Sequence, residues 1–218
     1  YCFASQGKYH GERALMSYEV GKQALDFLME NSGSRTNLEV DFFGGEPLMA
    51  WDTVVQTVDY ARSLEEKYNK KFRFTITTNG LLLDEDKRKY INENMDNCVL
   101  SLDGRREVND EFRKTVAGTG SYDTIVPKFK ALVDERDPNL DYYARGTFTS
   151  HNLDFAEDVL SIADAGFDRL SVEPVTADPG CGYDLTEDDL PKIEAEYDRL
   201  TDIMLERKKE GKPFTFFH

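Results

Sequence analysis

Cysteine is scarce in this sequence: Cys2, Cys98 and Cys181 are the only three in 218 residues, far apart and odd in number. That excludes a disulfide framework and fits a reducing cytosol, so a cytoplasmic protein is expected. The three histidines, His10, His151 and His218, read as loop or terminal positions, and none has metal-ligand spacing. Long apolar runs are missing, which excludes a membrane-spanning helix. No charged-then-apolar leader is visible, so no secretion signal is read. Basic residues are outnumbered. With 27 Lys and Arg against 42 Asp and Glu, the formal net charge is -15, which argues against nucleic acid and anionic membranes as partners. Linkers and low-complexity tracts are also lacking, so residues 1–218 are expected to form one domain, and 39% hydrophobic residues suffice for its core. The chain opens on Tyr1 rather than Met, and a piece of a longer protein is expected.

What is present is a strand–helix alternation organised around Leu38 to Met49, LEVDFFGGEPLM. Leu38, Val40, Phe42 and Phe43 make a bulky apolar strand that stops at Gly44-Gly45. Glu46 follows, Pro47 fixes the exit, and a helix begins near Trp51 with Val54, Val55, Val58, Ala61 and Leu64 on one face. Before it, Ser17 heads a helix with Val20, Ala24, Phe27 and Leu28 inward. After it, strands are expected at 72–78, 98–102, 142–149 and 170–175. Helices are expected from about Asp84, Ser121, Asp154 and Thr186, with Asp154 and Glu157 a capping-box-like start, and the apolar tail PFTFFH could start another strand. Regular alternation of this kind gives a parallel sheet with crossover helices. The fold expected is α/β, a partial, open (β/α)6 TIM-like barrel.

Polar residues fall at the carboxyl ends of the strands: Glu46, Asn79, Ser101 with Asp103, Arg145 and Glu173. Ligands bind at such ends in α/β folds. Each residue also has a plain reading. Glu46 suits a helix N-terminus as an acid, Asn79-Gly80 and Asp103-Gly104 are ordinary turn pairs, and Arg145 suits a salt bridge. Cys98 beside Val99 and Leu100 reads as a core thiol, and Cys181 between glycines reads as a loop thiol.

In series these motifs carry a resemblance. Tyr1-Cys2-Phe3, then GGEP at residues 44–47, TNG ending at Gly80, SLDG at residues 101–104 and SVEP at residues 171–174 resemble the radical S-adenosylmethionine superfamily over essentially the whole chain. YCFASQGKY, LEVDFFGGEPL, GTGSYDTIVPKFKALV and ARGTFT are similar to the peptide maturases with a SPASM-type extension. Within those the chain looks most like the enzymes that place thioether bridges in the cysteine-rich peptide called SCIFF. The resemblance implies a 4Fe–4S cluster held by a C-x3-C-x2-C motif and reductive cleavage of bound S-adenosylmethionine to a 5′-deoxyadenosyl radical. Its implied partners are a cysteine-rich precursor peptide and an electron donor such as flavodoxin or ferredoxin. Cys2 is then the third cluster ligand. Gly44, Gly45, Glu46 and Pro47 line the methionyl end. Asn79, Ser101 and Asp103 lie along the ribose and carboxylate side. Arg145 meets the methionyl carboxylate, Glu173 is near the adenosine or substrate, and Phe3 packs on the adenine.

The sequence departs from that pattern. The first two motif cysteines, the first barrel strand and the cysteine-rich auxiliary-cluster region are not in it, so a fragment inactive by itself is expected. An uncovered GGEP strand is a bare sheet edge. Edge-mediated dimers are therefore expected, or a cover from the loop at residues 1–13 or the PFTFFH tail. Three rival readings stand beside this one. The first is formylglycine formation in a sulfatase, on the same superfamily. The second is an ordinary barrel lyase or aldolase, which would need lysine or histidine at strand ends where none stands. The third is a non-catalytic peptide-binding barrel.

Overall fold

The computed structural model describes Cys2 and residues 14–217. Phe3, His10 and His218 lie outside the described residues, as does the 1–13 loop apart from Cys2. The element order is α1 (Tyr18–Asn31), β1 (Asn37–Phe42), α2 (Trp51–Tyr68), β2 (Lys71–Thr78), α3 (Glu85–Asn94), β3 (Asn97–Ser101), α4 (Arg106–Phe112), α5 (Tyr122–Asp134), β4 (Asp141–Phe148), α6 (Phe155–Asp164), β5 (Arg169–Pro174), α7 (Leu190–Lys209) and β6 (Thr215–Phe216). The six strands form one sheet in the order β1-β2-β3-β4-β5-β6. Pairing is parallel at β1–β2, β4–β5 and β5–β6. This is the α/β class that the alternation implies: an open sheet with helical crossovers.

The chain divides into two compact units, residues 2–99 with 135–141 and residues 100–134 with 142–217. In the first, β2 alternates strictly, with Phe72, Phe74, Ile76 and Thr78 buried and Lys71 and Arg73 exposed. Val54, Val58 and Ala61 of α2 complete that core with Ile91 of α3, as their helical spacing requires. In the second, Ile125, Phe129 and Leu132 of α5 are buried, as are Ala144 and Phe148 of β4, Phe155, Val159 and Ile162 of α6, and Leu170 and Val172 of β5. Phe148 and Phe155 stack with centroids 4.3 Å apart, fixing the start of α6 over the end of β4.

Three local expectations are corrected. On α1, Val20 and Phe27 are exposed and Ala24 with them, while Gly21 and Leu25 are buried. Gly21 sits against Thr57 of α2, where an added Cβ would stand 2.8 Å from Oγ1, so the small residue rather than the bulky row faces its neighbour. Asp154 does not cap α6 with its side chain, because both its oxygens are taken by Arg105 at 2.9 and 2.8 Å. The tail does form a strand, but β6 pairs with β5, Arg169↔Thr215 and Leu170↔Phe216, and so does not cover β1. The connection through α7 leaves β5 and returns beside it, as a crossover helix does.

Candidate functional site

Two groups of expected site residues gather at strand ends, one in each unit. At the end of β1, Gly44 adopts φ 145, a backbone conformation that glycine reaches without strain. The chain then extends at Glu46, φ -154 and ψ 110, and Pro47 opens a short 3₁₀ turn over Pro47–Ala50. Glu46 is the knot of this turn. Its Oε1 accepts from Leu48 N at 3.1 Å and from Thr78 Oγ1 at 2.8 Å. Its Oε2 accepts from Asn79 N at 2.7 Å. The structure therefore brings Glu46 and Asn79 together, and ties the GGEP turn to the end of β2. Burial pushes the Glu46 carboxyl above its ordinary range, and the bonds from Asn79, Thr78 and Leu48 oppose that. An ionised carboxylate has about four lone-pair positions. Among the described residues three are used, which leaves one on Oε2 for a further donor. The Asn79 side chain turns back to accept from Leu81 N at 3.0 Å.

In the second unit, Ser101 ends β3 half-buried. Asp103, fully buried, accepts a two-pronged pair from Arg113, Nε to Oδ2 at 2.8 Å and Nη2 to Oδ1 at 2.8 Å. Its Oδ1 also accepts from Thr147 N at 3.0 Å. Asp103 thereby locks the strand end that carries Arg145. Arg145 and Glu173 are brought together as a fork-to-fork ion pair, Nε to Oε1 at 2.9 Å and Nη2 to Oε2 at 2.5 Å. Glu173 raises the Arg145 guanidinium further above its ordinary value. Ser171 Oγ donates to the same Glu173 oxygen at 3.2 Å. This geometry is the bidentate recognition that suits a planar guanidinium and a carboxylate.

Sequence reasoning missed the residues that hold these groups. Thr78 and Arg113 are the immediate partners. A third is Asp158, fully buried on α6, which accepts from Arg105 N at 3.0 Å, Arg105 Nε at 2.9 Å and Asn152 Nδ2 at 3.0 Å. Burial raises the Asp158 carboxyl and the Arg105 pairing lowers it. Gly104, at φ 135, passes over Asp158 so closely that an added Cβ would stand 2.2 Å from its Cβ.

The thiols decide what metal chemistry this chain can hold by itself. Cys2 is a free, exposed thiol. Cys98 is fully buried on β3, with its thiol pushed up to about 12 by burial, so no thiolate forms there near neutral pH. Cys181 lies in an exposed loop with Sγ 3.8 Å from Asp184 Oδ1. Among the described residues no group of three His, Cys, Asp or Glu is placed to hold a metal ion. The thiols of this chain therefore do not fit a 4Fe–4S cluster without further ligands. Among the described residues no helix is long and apolar enough to cross a membrane.

Known proteins resemble this chain along its length. The family model described as "4Fe-4S single cluster domain" matches residues 1–127. The Fe-coproporphyrin III synthase of Methanosarcina barkeri is 29% identical over 218 residues, covering 96% of this chain and 48% of that protein. A cysteine-type anaerobic sulfatase-maturating enzyme of Clostridium novyi is 31% identical over 97 residues, 44% of this chain and 26% of the relative. The solved structure of native anSMEcpe with bound AdoMet and the Cp18Cys peptide shares the fold, with a TM-score of 0.80 at 22% identity over 99% of this chain and 58% of that one. This chain thus spans about half the length, or less, of the curated relatives it matches. It belongs to the 4Fe-4S single cluster domain family, within the radical S-adenosylmethionine superfamily whose cofactors are a 4Fe–4S cluster and S-adenosylmethionine.

Proposed function

We propose that this chain is the S-adenosylmethionine-binding core of an enzyme that modifies a ribosomally made, cysteine-rich peptide by forming a thioether. The observation that carries the reading is the Glu46 turn. Three protein donors orient its carboxylate and leave one lone pair for a ligand. A carboxylate so held beside a glycine turn suits the ammonium of an amino-acid ligand, since a charge-assisted bond there is about twice as strong as a neutral one. Gly44 and Gly45 let the backbone approach that ligand. Arg145, whose fork is filled by Glu173 in this structure, is assigned to the methionyl carboxylate by exchange of that partner, with Ser101, Asn79, Asp103 and Glu173 assigned to positions at the strand ends and Pro47 to shaping the first turn. Phe3 is assigned to the adenine. Cys2 would supply one thiolate to a cluster completed by ligands from elsewhere, and that group would supply electron-transfer chemistry at this site.

A second reading is oxidation of a cysteine or serine to formylglycine, favoured by the identity to the sulfatase-maturating enzyme of Clostridium novyi. The two are separated with the whole protein. It is reconstituted anaerobically with iron and sulfide, reduced with dithionite, and given S-adenosylmethionine with either a cysteine-rich peptide or a sulfatase-type peptide. Our reading expects the cysteine-rich peptide to lose a pair of hydrogens and one alkylatable thiol. An aldehyde on the sulfatase peptide, with the other untouched, favours the second reading. No 5′-deoxyadenosine with either peptide overturns both.

A further inference from the structure

The turns after β1 and β2 are joined through one hydroxyl, that of Thr78, the first residue of the TNG motif and one to which the resemblance gives no role. Thr78 is 1% exposed. Its Oγ1 accepts from Gly80 N at 3.0 Å and donates to Glu46 Oε1 at 2.8 Å. A hydroxyl has one hydrogen, and because an N–H faces one of its lone pairs, that hydrogen goes to Glu46. The neighbouring Asn79 N holds the other carboxylate oxygen at 2.7 Å. Consecutive residues at the end of β2 therefore grip both oxygens of a glutamate that enters from a different strand. Leu48 N also reaches Oε1, at 3.1 Å, and of the two donors there the Thr78 hydroxyl is the nearer.

We propose that Thr78 is a positioning residue for amino-acid ligand binding: it sets the plane of the Glu46 carboxylate so that its open lone pair meets the ligand ammonium. This rests on the reading of Glu46 as the ammonium acceptor. A buried carboxylate that keeps all its donors is pre-organised, and a ligand amine then meets a fixed acceptor rather than one that must be ordered on binding. The same hydroxyl bond helps to hold Glu46 ionised against burial. Its loss therefore moves the Glu46 titration midpoint upward, a change that a merely space-filling threonine would not cause.

The test compares Thr78→Val, which keeps shape and removes the hydroxyl, with Thr78→Ser, which keeps the hydroxyl. Two quantities are read: the titration midpoint of the Glu46 side-chain carboxyl by carbon-detected NMR of the ligand-free chain, and the Kd for S-adenosylmethionine by equilibrium dialysis of the cluster-loaded whole protein. We expect Thr78→Val to raise the midpoint and weaken binding about tenfold, as loss of one hydrogen bond to a charged group does, and Thr78→Ser to restore both. If Thr78→Val does not fold, Thr78→Cys, a weaker donor of similar size, is expected to fall between wild type and that loss. An unmoved midpoint, or unchanged binding in Thr78→Val or Thr78→Cys while Glu46→Gln weakens it, overturns the positioning role. Unchanged binding in Glu46→Gln overturns the ammonium reading of Glu46, and the proposal with it.

Discussion

Replacing Arg113 by Met removes the two-pronged pair from the buried Asp103 carboxylate and leaves the bond from Thr147 N in place. The side chains of the pair are unequally exposed, 22% for Arg113 and 1% for Asp103, so water reaches the guanidinium side but not the carboxylate. Removing one partner of a buried pair costs about 3–5 kcal/mol, because the other charge stays behind uncompensated. The partial exposure of Arg113 places this pair at the lower end, about 3 kcal/mol. In a chain of 218 residues, each kcal/mol is worth about 2–4 °C of Tm, so Arg113→Met is expected to melt about 6–12 °C below wild type. The assay is differential scanning calorimetry of both proteins in one buffer. Asp103→Asn added to Arg113→Met removes the stranded charge and is expected to recover part of the loss. A fall of less than about 2 °C, or a double variant no more stable than Arg113→Met alone, would show that Asp103 is not held as described.

Two more expectations follow from packing and protonation. Gly104→Ala forces a Cβ to within 2.2 Å of Asp158 Cβ at φ 135, combining strain and overpacking of about 1–3 kcal/mol each; a Tm within about 1 °C of wild type would refute this. His151 Nδ1 faces Glu111 Oε1 at 2.7 Å and Nε2 faces the Gly182 carbonyl at 2.7 Å. Two acceptors are satisfied together only by the doubly protonated ring, and Glu111 first, then Gly182, raise the imidazole above its ordinary value. A raised folded-state pKa means stabilisation that is complete below the unfolded value and lost as pH rises through the folded one. The loop around Gly182, also held by Ser150 N to Tyr183 O at 3.2 Å and by Gly180 N to Asp184 Oδ2 at 2.8 Å, is thus expected to loosen as pH rises through the raised His151 value. Hydrogen exchange at residues 180–184, corrected for intrinsic pH dependence, checks it; the same pH dependence in His151→Gln would contradict it.

Legibility in the sequence followed the range of the interaction. Strands such as 72–78 were readable because β-branched and aromatic residues alternate and end at Asn79-Gly80. The five expected strands all form, with ends shifted by a residue at most; β1 stops at Phe42, one residue before the expected Phe43. On α1 the row Val20, Ala24, Phe27 and Leu28 has good helical spacing. Periodicity measures apolar volume, however, and could not register that Gly21 lets α1 settle on Thr57. Asp154 reads as a cap until Arg105, distant in sequence, claims it. Asp103-Gly104 reads as a turn because its partner Arg113 lies across α4. Thr78 stands in the TNG motif, yet its role was unreadable for a related reason: a threonine in a strand reads as a good strand former, and nothing local marks its hydroxyl as a bond to Glu46.

The most direct measurement is a crystal structure of the whole, cluster-loaded protein with S-adenosylmethionine bound. The account predicts the methionyl ammonium within hydrogen-bond distance of Glu46 Oε2, beside Gly44 and Gly45, with the bonds from Thr78 and Asn79 to Glu46 retained. Ligand density away from this turn, or a Glu46 carboxylate that touches protein alone in the complex, would contradict it.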